Sequence, residues 1–297
     1  MRRDVLIKGV VSVLILVFLF NIINKEDFLN SMLSIRPVFL LAVLMLPFSI
    51  FMRAWRWKML VEYGDRRISY GDAYGLTLAG LALNIFLPGG MGDIARTYYG
   101  YRWHGLKEEM LSTTVLDKVI ALLSVFIMGA VAAIWTGMLA VTVVSGLSAI
   151  LLAIMVFWPG IFPWRRLVNL LNSKTGKILC HEKLSAFYAS STALKFKAIL
   201  LSFAGWLLSY AQFYIVCLSF GVNVDISYIL SIAPIMNLAF VFPFTLNGLG
   251  SSDAVVIYFL GLKGVNPSTA LLISLFYSQI LTSIIPGVFG LFRIIRK

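Results

Sequence analysis

The sequence predicts an all-α polytopic membrane protein, with six full spans plus two re-entrant helical hairpins arranged as an inverted repeat. Three observations carry this expectation. First, 60% of the 297 residues are hydrophobic and 13% are charged, whereas a soluble domain carries about 25% charged residues. The mean hydropathy is +0.91, so the excess apolar surface must face lipid. Second, the basic residues gather in the connections between apolar runs. Third, two further apolar runs are each broken in the middle by proline and glycine.

A span needs about 20 apolar residues. Six runs qualify: Val5–Ile23, Val38–Met59, Ser112–Trp135, Met138–Trp158, Ala198–Phe220 and Thr269–Phe292. The first has basic residues before it and no small-residue cleavage site after Ile23, so it reads as a retained helix. Pro47 inside the second run is tolerable, because neighbouring helices can satisfy the carbonyl it frees. Ala73–Arg96 is apolar to Leu87 and then breaks at Pro88-Gly89-Gly90. Ile229–Leu262 contains Pro234, Pro243, Asn247, Gly248 and Gly250 before resuming as Ala254–Leu260. Proline removes a donor and glycine permits positive φ, so each run reads as two half-helices around an irregular middle.

Charge sets the expected topology. Arg2, Arg3 and Lys8 place the N-terminus inside, as Arg293, Arg296 and Lys297 place the C-terminus. Arg53–Arg67 and the strongly basic 159–197 connection also lie inside, and the nearly balanced Asn24–Arg36 lies outside. The count of crossings then makes Ala73–Arg96 enter and leave on the cytoplasmic side, and Ile229–Leu262 on the outside. The chain is thus expected to be one membrane domain, 1–297, of two inverted halves, 1–136 and 137–297. Within 159–197, Trp164, Leu167, Val168 and Leu171 recur at helical spacing, which suits a cytoplasmic interfacial segment linking the halves.

Several classes are disfavoured. The net charge of +12 follows the positive-inside pattern, and no basic domain stands outside the apolar runs, so nucleic acid is not an expected partner. Two cysteines, Cys180 and Cys217, form no metal or disulfide pattern, and His104 and His181 stand alone. There is no Walker A sequence. No cofactor and no metal are expected, and the chain is not expected to be an enzyme.

The breaks hold the candidate site. Irregular backbone and charge at membrane depth are expensive, and paired breaks in two halves point to a midplane site. Asn84 precedes the first break and could satisfy carbonyls freed there. Asp93 and Arg96, three apart at the start of a half-helix, share a face and can pair. Arg96 and the free amides of that helix start could hold a phosphate while Asp93 caps the helix and orients Arg96, or the two could form a capping carboxylate and a structural ion pair. Asp117 and Lys118 lie about one turn into Ser112–Trp135; Asp117 suits the interior with Arg96 as partner, and Lys118 can snorkel. In the second break, Asn247 beside Gly248 could line a polar cavity. Gly250 and Ser251-Ser252 lead to Asp253, which could cap the helix, accept a proton, or pair with a cation of the other half. Arg53-Ala-Trp-Arg56-Trp-Lys58 reads by default as an interface anchor, with headgroup contact as the sharper alternative.

Arg53-Ala-Trp-Arg-Trp-Lys-Met-Leu60, Asn84 through Arg96, Val115-Leu-Asp-Lys118 and Pro243 through Asp253 together resemble the flippase-like domain family. This is the membrane portion of lysylphosphatidylglycerol synthases with its stand-alone bacterial and archaeal relatives. The family's Asn, Pro-Gly, Gly-Asp and Arg are matched at Asn84, Pro88-Gly89, Gly92-Asp93 and Arg96. Many members have Arg where this chain has Lys118, and Glu where it has Asp253. The soluble aminoacyl-transfer domain of the synthases is not part of the resemblance. The resemblance implies translocation of a phosphate-bearing lipid, either a phospholipid or a polyprenyl-phosphate-linked lipid. The expected partners are membrane lipids with anionic headgroups, with the cell membrane as location. Arg96→Ala is expected to abolish transport and leave the fold intact. Two rivals remain: an accessory subunit of a membrane glycosyltransferase or lipid-modifying enzyme, and an intramembrane enzyme using Asp93 or Asp253.

Overall fold

Long apolar runs bounded by polar caps yield a bundle of helices in the computed structural model, which describes residues 2–62, 67–87, 91–105, 110–158, 192–241, 245 and 247–296. In chain order the helices are α1 (Arg2–Ile22), α2 (Lys25–Leu33), α3 (Phe39–Glu62), α4 (Tyr70–Asn84), α5 (Gly92–His104), α6 (Met110–Trp135) and α7 (Leu139–Phe157). They continue as α8 (Thr192–Ser219), α9 (Ile226–Val241), α10 (Ser251–Gly261), α11 (Pro267–Ser274), a π-helical segment (Leu275–Ile284) and α12 (Ile285–Ile295). No strand occurs among the described residues.

Among the described residues five helices are long and apolar enough to cross a bilayer: Phe39–Glu62, Thr113–Trp135, Leu139–Phe157, Thr192–Ser219 and the continuous Pro267–Ile295. Each matches an expected span. The sixth, Val5–Ile23, coincides with α1, whose apolar stretch Val10–Asn21 is shorter. Pro47 does not break α3 and Pro234 does not break α9. One element was not expected. The connection Asn24–Arg36 contains α2, because the Asn24 side chain accepts from the Glu26 and Asp27 amides and starts a helix. The expected interfacial segment falls largely on 159–191, outside the described residues, and Thr192–Lys197 are the first turns of α8.

The two interrupted runs form helical hairpins. Ser69 caps α4 by accepting from the Asp72 amide, and Gly105, at φ 60°, ends α5. The limbs α4 and α5 pack together. At their open end His104 Nε2 lies 3.5 Å from Asp72 Oδ1. At the tip the Gly92 amide donates to Asn84 Oδ1 at 2.6 Å. Gly92 is required there: a Cβ would fall 2.2 Å from Gly80 O. Pro88 and the two glycines after it lie outside the described residues. The second hairpin pairs α9 with α10. Its open end is closed by Tyr228 Oη donating to Phe259 O at 2.7 Å, with Lys263 Nζ 4.5 Å above the Tyr228 ring. Its tip turns through Asn247, Gly248 and Gly250 at φ 49°, 71° and 86°, angles that favour glycine. At about 1.5 Å per residue, none of these four limbs reaches the ~30 Å of a hydrocarbon core.

The packing of the halves is reciprocal. α3 packs along α8, α4 along α12, and α9 along α6. The first limb of each hairpin therefore lies against the last long helix of the other half. Glycine permits both approaches: a Cβ on Gly290 would lie 2.1 Å from Leu78 O, and one on Gly129 2.1 Å from Pro234 Cγ. α3 and α8 run antiparallel, tied by Arg36 N to Ser219 O at 2.8 Å at one end and Arg56 Nη1 to Ser202 Oγ at 2.9 Å nearer the other. Because α3 leads into α4 and α8 leads into α9, the hairpins open at opposite ends of the bundle. Gly290→Ala should lower the melting temperature in detergent by overpacking, on the order of 1–3 kcal/mol. Gly146→Ala should not, since a Cβ there meets nothing within 4 Å. Equal melting of both variants would contradict this packing.

Candidate functional site

A cavity of about 160 Å³ opens between the halves. Both hairpin tips wall it, through Asn84 and Asp93 on one side and Asn247 on the other. α3 contributes Ser49, Arg53 and Arg56; α6 contributes Asp117 and Lys118; α8 contributes Ser202, Ser209 and Gln212; and the last span contributes Thr282 and Ser283. Its polar lining is thus charged on the side of the first half and neutral on the side of the second.

The charged wall is built around Asp117. Its Oδ1 accepts from Arg56 Nε at 2.6 Å, and its Oδ2 lies 3.3 Å from Arg96 Nη2. Arg56 also donates to Ser202 Oγ of α8, which locks the guanidinium across the two halves. Arg96 is fully buried, with its guanidinium carbon 4.3 Å from the centroid of the Trp57 ring. Asp93 Oδ2 pairs with Lys118 Nζ at 2.7 Å. Arg53 lines the cavity and forms no hydrogen bond or ion pair among the described residues. Four cations, Arg53, Arg56, Arg96 and Lys118, therefore face two carboxylates, Asp93 and Asp117. The surplus is positive inside an apolar bundle, where a buried charge is costly unless paired.

Several expectations are corrected by this geometry. Asp93 and Arg96 do not pair with each other. Asp117 reaches Arg96 from α6 and Lys118 reaches Asp93, so the i, i+3 pair is replaced by two inter-helix pairs. Arg96 does not line the cavity; it lies behind Asp117, enclosed by Trp57, and its removal would strip Asp117 of a partner as well as empty a packed site. Asn84 Oδ1 accepts from the Gly92 amide, so the first amide of α5 is already engaged. Gly92 and Gly248 act through backbone approach: a Cβ on Gly248 would sit 2.9 Å from Phe240 Cδ2.

The second break is less polar than expected. Asp253 is fully buried, accepts from the Gly250 amide at 2.8 Å and from Ser274 Oγ at 2.6 Å, and meets no cation among the described residues. It caps α10 and does not line the cavity. Asn247 does, donating to Ser283 Oγ at 2.7 Å. Among the described residues no group of three or more His, Cys, Asp or Glu is placed to hold a metal.

Arg53 and Arg56 are the site residues that sequence reasoning assigned elsewhere. The aromatic-basic cluster splits by helical face. Trp55 is exposed beside Phe51 and Tyr70, and Lys58 pairs with Glu62. Arg56 and Trp57 are buried under the first hairpin and α6. The spacing of Arg53, Arg56 and Trp57 at i, i+3 and i+4 was the available signal. Asp117→Asn should leave Arg56 and Arg96 uncompensated in a buried site and destabilise the fold by about 3–5 kcal/mol, read as a lowered melting temperature in detergent. Wild-type melting would show that Asp117 does not anchor the cluster.

Comparison with known proteins agrees with this helical architecture. No curated protein matches the chain significantly. The family described as the lysylphosphatidylglycerol synthase TM region matches residues 5–290, nearly the whole length. The chain belongs to the lysylphosphatidylglycerol synthase TM-region family, as a multi-pass membrane protein.

Proposed function

We propose that this protein translocates a lipid with an anionic, phosphate-bearing headgroup between leaflets, as a flippase or scramblase, and is not itself an enzyme. The observation that carries the reading is the cavity between the two hairpin tips, where Arg53, Arg56 and Lys118 outnumber Asp93 and Asp117. A phosphate is the complementary guest, since guanidinium groups bind it through paired, charge-assisted hydrogen bonds. At about 160 Å³ the cavity suits a headgroup and not a whole lipid; drug-sized ligand pockets begin near ~300 Å³. The tails would remain in the bilayer while the headgroup passes.

In this reading the chain has six spans and two re-entrant hairpins in two inverted halves. Limbs too short to cross, closed at their open ends and entering from opposite ends of the bundle, support it. Reciprocal packing of α4 on α12 and α9 on α6 supplies two equivalent sliding contacts across the pseudo-twofold axis. Transport by rocking one half against the other would expose the cavity alternately to each leaflet. Arg53 is the guest's first contact because no described residue holds it by a hydrogen bond or ion pair. Arg56 and Lys118 each hold a carboxylate and would share their remaining donors with the phosphate. Asp117, Arg96 and Trp57 position Arg56, and Asp93 positions Lys118. The membrane is the cell membrane, with both termini cytoplasmic, as the positive-inside pattern requires.

Two measurements test this. In liposomes, purified protein should move labelled phosphatidylglycerol between leaflets, and Arg53→Gln should reduce the rate at least tenfold while leaving the melting temperature unchanged. Wild-type transport in that variant, or no transport above protein-free liposomes, would refute the reading. In intact cells lacking Cys180, a membrane-impermeant maleimide should label Lys263→Cys and not His104→Cys. Labelling of both would rule out hairpins entering from opposite faces.

A further inference from the structure

The short helix α2 has three faces of different chemistry. One is fixed to the bundle. The Asp27 carboxylate accepts from Asn266 Nδ2 at 2.9 Å, Ser31 Oγ and Thr269 Oγ1 lie 2.9 Å apart, and Ser268 Oγ donates to Asn24 O at 3.1 Å. Phe28 enters the apolar cluster of Leu19, Ile23 and Leu271, and its ring meets Phe20 edge-on with centroids 5.5 Å apart. The second face holds Leu29, Met32 and Leu33, which are 58%, 47% and 84% exposed. At i, i+3 and i+4 they form one stripe. The third face holds Glu26 and Asn30, four apart and both exposed. This helix sits where the second hairpin opens. Its partner Asn266 caps α11 just after the α10 limb ends at Gly261.

We propose that α2 lies in the plane of the bilayer interface, with its Leu29, Met32 and Leu33 stripe sunk into the acyl boundary of the leaflet where the second hairpin opens, and that it moors that end of the hairpin to the membrane. Lipid is the cover because the stripe continues surfaces that already face lipid. Leu14, Val17 and Phe18 are exposed on α1 before it, and Leu40, Leu41 and Leu44 on α3 after it. Three side chains are also far short of the ~1,000 Å² that a specific protein interface buries. Left in water, they would forfeit the gain of apolar burial. A helix with one apolar face and one polar edge settles at the headgroup boundary. There Glu26 and Asn30 stay wet, and Lys25 in the first turn can reach headgroup phosphates. The mooring follows from the three hydrogen bonds to Asn266, Ser268 and Thr269, which tie α2 to the turn between α10 and the last span. The proposal requires a bilayer and no particular cargo in the cavity.

Spin labels test the position of α2. The full chain carrying Cys180→Ser, with Cys217 buried, is labelled in phosphatidylglycerol–phosphatidylcholine liposomes at Leu33→Cys or at Asn30→Cys. Collision with oxygen, which partitions into lipid, is compared with collision with a water-soluble nickel chelate. The oxygen-to-nickel ratio should be at least threefold higher at position 33 than at position 30. Equal ratios would overturn the proposal. So would a label at position 33 shielded from both reagents, which would reveal a protein cover such as a second copy. Hydrogen exchange in nanodiscs tests the mooring. Replacing Leu29, Met32 and Leu33 together by Ser should speed amide exchange at least tenfold in 25–33 and at least threefold in 266–269, with α6 unchanged. Asp27→Ala with Ser31→Ala removes two ties from the α2 side and should speed exchange in 266–269 likewise, while the label at position 33 keeps its ratio. Exchange in 266–269 that stays at the wild-type rate in both variants would overturn the mooring.

Discussion

Asp117 joining Arg56 to Arg96 is the constraint on which the rest of the site depends. Three charged groups from three different elements, α3, α5 and α6, meet where the surroundings are apolar. Taking any of them out of water is costly, and only the assembled set, with Ser202 as an added hydrogen-bond partner, offsets that cost. The first hairpin is thereby tied to the bundle by charge at its tip. It is also fixed by close packing, since Gly92 meets Gly80 and Asn84. The second hairpin solves the same problem without ions. Its turn runs through three positive-φ residues, and its carboxylate, Asp253, serves the Gly250 amide and Ser274.

This difference between the hairpins gives the cavity two unlike walls. Charge enters only from the first half, and the neutral amides and hydroxyls come mostly from the second. On the proposed inverted-repeat reading, the two halves differ in chemistry as well as in orientation. On the proposed reading, that asymmetry orients a headgroup across the cavity, phosphate to one side. The reciprocal packing of α4 on α12 and α9 on α6, each over a glycine, leaves smooth helix contacts on which the halves can move. The π-helical turn Leu275–Ile284 contributes Thr282 and Ser283 to the cavity. Its widened register turns their hydroxyls onto Ser278 O, a local irregularity of the kind found at functional sites.

Much of the fold was legible in the sequence. Run length and hydropathy located the spans, because a bilayer imposes one length on every helix that crosses it. Proline and glycine marked both hairpins, because irregular backbone needs them. Pairing was less legible. The nearest partner along the chain, Asp93 for Arg96, lost to Asp117 and Lys118 on α6, since interhelical geometry and not sequence spacing decides which charges meet. Arg53 and Arg56 were obscured by their tryptophans, which suit an interfacial belt as well as a buried stack. Asp253 differed in the other direction: its capping role was among the open readings, and only the Gly250 amide and Ser274 hydroxyl singled it out.

The central claim is that two hairpins from opposite ends of the bundle enclose a cationic cavity that receives a lipid phosphate. A structure of the protein determined in phosphatidylglycerol nanodiscs tests it most directly. The account predicts headgroup density between Asn84 and Asn247, its phosphate within hydrogen-bond distance of Arg53 and either Arg56 or Lys118. Headgroups resolved only on the outer surface of the bundle, with Arg53 turned away to another partner, would contradict it.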